Sequence, residues 1–226
     1  MPPITVIFDL DGTLVDTGPD IAAALNHSLG LLGYPPFELD DVAKLVGHGA
    51  RALIERGLQR QGLAASSDDA KALLDKALPA FMRYYAANIC VGSQPYPGIV
   101  GVLDRLAARG ARIGVCTNKP LILSTGLFEA LGWSSRFHAV LGGDSLPVRK
   151  PDPLHLLETI AQAGGDRTRA VMVGDSTVDV EAAKAAGVPV IAVSFGFSET
   201  PATEFGADAV IEHYDDFDPV LDRLIG

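Results

Sequence analysis

Four stretches carry side chains whose types and spacing could do chemistry. The first is Asp9-Leu10-Asp11-Gly12, directly after the β-branched and aromatic run Ile4 to Phe8. That run reads as a strand buried on both faces. Carboxylates at the end of a buried strand are costly to keep charged unless they are paired or bound to a metal. At about 4 Å two of them repel by roughly 4 kcal/mol in a half-exposed protein site, so a positive group is expected there. Gly12 permits a sharp turn that folds the following backbone over them. An ordinary Asp-Gly turn accounts for Asp11 and Gly12 but not for Asp9 at the strand end. A second pair, Asp175 and Asp179, is spaced by one helical turn, so both carboxylates can face one site. Thr117-Asn118 offers a hydroxyl and an amide, and Lys150 before Pro151 offers a point charge. Each of these three has a plainer reading when taken alone: a turn or helix cap, a surface cation, and a capped strand–helix turn.

The elements that must position these groups follow from periodicity. After Tyr96-Pro97-Gly98 the chain alternates helix and strand. Helical patterns start at Ile99, Leu121, Pro153 (capped by Asp152) and Val178. Strand patterns cover Arg112 to Cys116, His138 to Leu141, Ala170 to Val173, Val190 to Val193 and Ala209 to Ile211. This alternation predicts an α/β doubly wound parallel sheet, to which Ile4 to Phe8 also belongs. Residues 17–93 differ: Ile21, Leu25 and Leu29, then patterns over 39–46 and 50–61, then Asp68 onward with an expected kink at Pro79, all have helical spacing. The expected organisation is a discontinuous core, 1–16 and 94–226, interrupted by an all-helical cap, 17–93, between Gly/Pro hinges at Gly18-Pro19 and Gly92 to Gly98. In such sheets ligands bind beyond the carboxyl ends of the strands, and all four stretches fall at that edge.

Asp9-Leu10-Asp11-Gly12-Thr13-Leu14-Val15-Asp16 resembles the signature of the haloacid dehalogenase superfamily, and Thr117-Asn118, Lys150-Pro151 and Gly174-Asp175 through Asp179 resemble its remaining motifs in order. The resemblance implies a Rossmann-like core with a helical cap and phosphoryl transfer through an aspartyl phosphate. It implies Asp9 as nucleophile, Asp11 as general acid/base, and phosphate binding by Gly12, Thr117, Asn118 and Lys150. It also implies Mg2+ held by Asp9, Asp175 and the backbone carbonyl of Asp11, with Asp179 in the outer shell. Within the superfamily the chain is most similar to the phosphoglycolate phosphatases, including Asp16-Thr17-Gly18-Pro19-Asp20, Thr117-Asn118-Lys119-Pro120, Gly142-Gly143-Asp144 and Lys184-Ala185-Ala186-Gly187. The implied reaction is hydrolysis of 2-phosphoglycolate. Other readings are hydrolysis of another small phosphate ester or pyrophosphate, a β-phosphoglucomutase-like mutase, and a catalytically idle binding module. In the cap, Val46-Gly47-His48-Gly49-Ala50-Arg51 looks like the segment that faces the active site in phosphoglycolate phosphatases. Gly47, His48 and either Arg51 or Lys44 are candidates for recognising a small carboxylate; a helix N-terminus with a solvated arginine is the alternative. Lys119 and His155 are expected at the surface, His213 solvated, and Trp133 in the core.

Composition narrows the classes. The 226 residues are 48% apolar and 20% charged, an ordinary globular balance. A net charge of −10 argues against nucleic acid and anionic membrane as partners, and the small anionic phosphate ester that the resemblance implies must be bound at a locally positive site. Cys90 and Cys116 form no C-x-x-C pair and read as reduced thiols. With no long apolar run and no leader pattern, a cytoplasmic protein, monomer or homodimer, is expected.

Overall fold

The computed structural model describes residues 2–64, 68–198 and 200–225. Six parallel strands form one sheet in the order β5-β4-β1-β6-β7-β8. They are β1 (Thr5–Phe8), β4 (Arg112–Cys116), β5 (Ala139–Leu141), β6 (Ala170–Gly174), β7 (Val190–Val193) and β8 (Ala209–Ile211). The period of two along each strand sends alternate residues to opposite faces, and both faces are apolar. Val6 and Phe8 join Val171, Val173, Ile191 and Val193 under α5 (Ile99–Ala108) and α9 (Phe217–Ile225). Ile7, Met172, Val190 and Ala192 face the other way, under α7 (Pro153–Gln162) and α8 (Thr177–Ala186). Burying a side chain such as Phe8 contributes roughly 1.5–3 kcal/mol. The same burial carries Asp9 to the low-dielectric end of the strand.

β1 lies between β4 and β6, with which it pairs over its whole length. The chain proceeds from β4 outward to β5 but from β6 outward to β7 and β8, so the connections diverge beside β1. Such a divergence opens a crevice at the carboxyl edge. Asp9 and Asp175 follow the two strands that flank it.

The insert is helical, as its periodicity predicts: α1 (Gly18–Gly30), α2 (Leu39–Ala43), α3 (Ala50–Arg60) and α4 (Asp68–Ala87), with Pro79 inside α4. Ile21, Leu25, Leu29, Ile54, Leu58, Leu74 and Phe81 form its own apolar cluster, joined by Leu123 of α6 (Leu121–Ala130) from the sheet side. Where the chain enters and leaves the insert, β2 (Val15–Asp16) and β3 (Gln94–Pro95) form a short antiparallel ribbon. Beside it the buried Asp20 carboxylate accepts the backbone N–H groups of Val91, Gly92 and Ser93 and the hydroxyl of Ser93, at 2.6–3.0 Å. One side chain thus closes the loop between two segments 71 or more residues apart. Asp20→Ala leaves these donors without a partner and is expected to cost about 2–4 kcal/mol, with amide exchange at 91–93 accelerated more than in α5. Unchanged exchange at those amides would show that the ribbon alone holds the crossing.

The C-terminal helix α9 was not anticipated from the sequence, although Phe217 and Leu221 are four apart and both buried. Arg105 of α5 and Arg109, which follows that helix, pair with Asp218 and Asp222 of α9.

Candidate active site

At the end of β1 the Asp9 N–H donates to the carbonyl of Val173 at 2.8 Å, which fixes the strand ends side by side. Asp9 Oδ1 accepts from Leu10 N–H at 2.7 Å and lies 2.9 Å from Lys150 Nζ. Lys150 Nζ also lies 2.6 Å from Asp179 Oδ1. Asp179 Oδ2 accepts from the N–H and hydroxyl of Ser176, closing a capping box at the start of α8. Asp175 is held by the Thr13 hydroxyl at 3.1 Å on one oxygen and by Phe197 N–H at 2.9 Å on the other. Glycine is required on two sides of it. A Cβ at Gly12, whose φ is +80°, would stand 2.3 Å from Asp175 Oδ2, and one at Gly196 would stand 2.1 Å from Asp175 Cβ.

Asp9, Asp175 and Asp179 are all buried and offer oxygens within 4.8 Å of one another. Lys150 pairs with two of the three, Asp9 and Asp179. Burial pushes the Asp9 carboxyl up to about 6; Lys150 opposes the shift and Asp179 adds to it. Burial, then Asp179 and Asp9, raise Asp175 well above the usual carboxylate range. Burial works to strip Lys150 of its proton, but Asp179 and Asp9 outweigh it and hold the amine charged. A further cation is therefore what this donor set lacks, and an all-oxygen set of carboxylates suits a hard divalent ion. Asp179 has both oxygens engaged, Oδ1 with Lys150 and Oδ2 with Ser176.

Thr117 and Asn118 follow β4 as expected. Asn118 Nδ2 donates to the carbonyls of Lys150 and Gly47, both at 3.1 Å, and so ties two loops of the core to the cap segment. Asp11 faces the same space. Its carboxylate accepts from the Thr17 hydroxyl at 2.7 Å and from Lys119 Nζ at 2.8 Å. Lys119 and His155, expected at the surface, are both buried. Lys119 bonds the Tyr85 hydroxyl of α4 and stands 4.2 Å from the centroid of that ring. Its ammonium finds a carboxylate and a π face in place of water, which is why burial is tolerated. His155 packs beneath Lys150, whose backbone N–H donates to its Nδ1 at 3.3 Å. Burial, and then Lys150, lower its pKa to about 4, so it is a neutral support. Trp133 is buried, and His213 is half-exposed beside Asp215.

Between core and cap lies a pocket with about 470 Å3 of atom-free space, part of it open to solvent. Asp9, Asp11, Thr117, Asn118 and Lys119 form its floor, and Gly47, Gly49, Phe81 and Tyr85 close over it. The cap candidates divide. Gly47 lines the pocket. His48 and Lys44 border an adjoining cleft that reaches Asp11 and Asp175 from the other side, together with Arg56. Lys44 is exposed and pairs with Asp41. Arg51 is exposed and turned toward Asp75 at 3.7 Å, outside both linings. On α3 the buried positions are Leu53, Ile54, Gly57 and Leu58, so Arg51 falls on the solvent side of the helix. Four residues that now prove to hold the site were not picked out from the sequence: Thr13, Thr17, Tyr85 and Lys119. Tyr85 was hidden in an apolar helical stripe. For Lys119 the available signal was its place directly after Thr117-Asn118 at a strand end.

A parallel sheet with this lidded acidic centre at its divergence point defines an α/β enzyme of the capped phosphotransferase type. The sequence matches the family model of haloacid dehalogenase-like hydrolases over residues 6–193. The chain belongs to that family. It is 47% identical over 210 residues to the phosphoglycolate phosphatase of Caulobacter vibrioides, covering 93% of this chain and 87% of the relative. To the phosphoglycolate phosphatase of Mesorhizobium japonicum it is 45% identical over 212 residues, 93% and 91% of the two chains. The crystal structure of a predicted phosphoglycolate phosphatase from Haemophilus somnus superposes with a TM-score of 0.86 at 30% identity, covering 96% of each chain. Among the described residues no helix is long and apolar enough to cross a membrane.

Proposed function

We propose that this enzyme hydrolyses 2-phosphoglycolate to glycolate and phosphate by way of a phosphoryl group carried transiently on Asp9, with Mg2+ as cofactor. The observation that carries the reading is the Asp9 carboxylate itself: buried at the sheet edge, 2.9 Å from Lys150, beside Asp175, and facing a pocket closed by the insert. The names of the relatives support the substrate. Asp9 and Asp175, with the carbonyl of Asp11, would hold Mg2+, and Asp179 would act through Lys150 and the outer shell. The ion would supply the positive charge that lets an anionic ester approach an anionic nucleophile. Thr117 and Lys150 bind the phosphoryl oxygens, and Asn118, whose side-chain amide donates to Gly47 and Lys150, fixes the phosphate-binding loop.

In the first half-reaction an Asp9 oxygen bonds to phosphorus while the phosphorus–ester oxygen bond breaks, and Asp11 gives its proton to the departing alkoxide. In the second, Asp11 takes a proton from water as that water bonds to phosphorus. The Asp9–phosphorus bond breaks, and phosphate leaves with Asp9 restored. We assign the cap to residues 17–93 and the core to 1–16 and 94–226. The cap excludes water and reads the part of the ester beyond phosphate.

The metal requirement has a pH signature. The metal-free protein keeps a proton on Asp9 up to about pH 6, and binding Mg2+ must release it. Asp175, whose carboxyl is raised well above the usual range, holds a second proton to be released, so affinity is expected to fall as pH drops by about tenfold per unit for each proton displaced. Calorimetric titration of metal-free protein at pH 5 and 7.5 measures this. Activity should vanish in excess chelator and return with Mg2+, and return poorly with Ca2+, which takes more ligands at longer distances. Full turnover in chelator would sink the metal assignment.

A further inference from the structure

With Arg51 and Lys44 paired outside the pocket, the carboxylate of a phosphoglycolate substrate needs another cation. We propose that Lys119 binds it, an inference that rests on the substrate reading above. Among the described residues lining the pocket between core and cap, Lys119 is the sole cation. Its side chain is 2% exposed, so its ammonium meets the pocket and not bulk water. Two of its three N–H donors are directed to Asp11 and to the Tyr85 hydroxyl, which leaves one for a ligand.

The position suits the chemistry of the ester. Asp11 must reach the ester oxygen to protonate it, and Lys119 Nζ is 2.8 Å from Asp11 Oδ1. In an O–CH2–COO− fragment the carboxylate is attached two bonds from that oxygen. A group that neighbours Asp11 is therefore also within hydrogen-bond reach of the carboxylate, whereas Lys150, beneath Asp9 and against Asp179, is engaged at the phosphoryl end. Charge requires the same partner. A carboxylate entering beside Asp9 and Asp11 without a cation would be a buried charge facing two like charges. Arg149, whose guanidinium approaches Gly49, is exposed and outside this lining. Because Tyr85 belongs to the cap helix α4 and Asp11 to the core, the ammonium is held in place from both sides of the pocket.

The test compares 2-phosphoglycolate with 2-hydroxyethyl phosphate, which keeps the phosphate and the chain length but replaces the carboxylate by an alcohol. Wild-type enzyme is expected to favour phosphoglycolate in kcat/KM by about 100-fold or more. Lys119→Met is expected to lower kcat/KM for phosphoglycolate by about 100-fold, mostly through KM, and for the hydroxyethyl ester by less than about 10-fold. Lys119→Arg should keep part of the preference. Melting curves establish that each variant is folded; if Lys119→Met is not, Lys119→Gln takes its place in the same comparison. Equal losses on both esters would mean that Lys119 acts through Asp11, and would overturn the proposal. So would an intact preference in Lys119→Met, or a preference lost in Arg149→Ala instead. A wild type that ranks the two esters equally would fail at an earlier point: it overturns the substrate reading and leaves no carboxylate for Lys119 to bind.

Discussion

An Asp9→Asn protein is expected to fold, to bind phosphate, and to turn over no ester, with kcat reduced by about 10^4-fold or more. The amide keeps the volume of the carboxylate and can still accept from Leu10 N–H and Lys150, but it offers phosphorus no anionic oxygen. Stability should not suffer in the metal-free state. Burial raises the wild-type carboxyl to about 6, so at neutral pH its ionised form is maintained at a cost, and Lys150 retains Asp179 at 2.6 Å. The melting temperature of metal-free Asp9→Asn should equal or exceed that of wild type. Steady-state kinetics, a thermal melt, and peptide mapping of borohydride- or hydroxylamine-trapped carboxyl phosphate settle the outcome. Turnover within tenfold of wild type, or a phosphoryl group trapped on another carboxylate, would overturn the assignment.

Lys150→Met should show the opposite pattern, a large loss of stability together with activity. The thioether fills much of the lysine's volume but leaves Asp9, Asp175 and Asp179 facing one another without an ammonium. Removing one partner of a buried ion cluster costs about 3–5 kcal/mol. The sign of its pH dependence follows from Asp9, whose folded-state pKa already lies above its unfolded value with Lys150 present. Without Lys150 the Asp9 carboxyl is pushed further up. Its folded-state deficit is then absent below the unfolded pKa, where it is protonated in both states, and grows as pH rises toward neutrality. Urea midpoints at pH 4.5 and 7.5 should thus differ between wild type and variant by little at the lower pH and by the full amount at the higher. Added Mg2+ should recover part of the loss, since it restores positive charge to the same oxygens. A variant as stable as wild type at pH 7.5 would show that the carboxylates are already neutral there, and that Lys150 is not their counter-charge.

Much of this arrangement was written in local sequence. β-Branched runs that end in Asp9, Cys116 and Gly174 specify buried parallel strands, because both faces of each must be apolar. Strand ends then place Asp9, Thr117 and Asp175 at one edge whatever the order of strands. The spacing of four between Asp175 and Asp179 brings both to that edge for the same local reason, and the helical period of 17–93 marks the insert as a separate layer. Tertiary structure alone decided how the charges pair. Asp179 is a metal candidate by spacing; the fold also pairs it with Lys150 and closes the capping box with Ser176, neither of which the spacing indicates. Arg51 sits among glycines in the sequence, yet the apolar face of α3 turns it toward solvent and Asp75. Lys119 reads as a surface lysine, yet the strand order and the docking of α4 set a carboxylate on one side of it and Tyr85 on the other. The destination of a charged side chain depends on which opposite charge or π face the folded chain brings within about 4 Å, a non-local property that neither composition nor periodicity encodes.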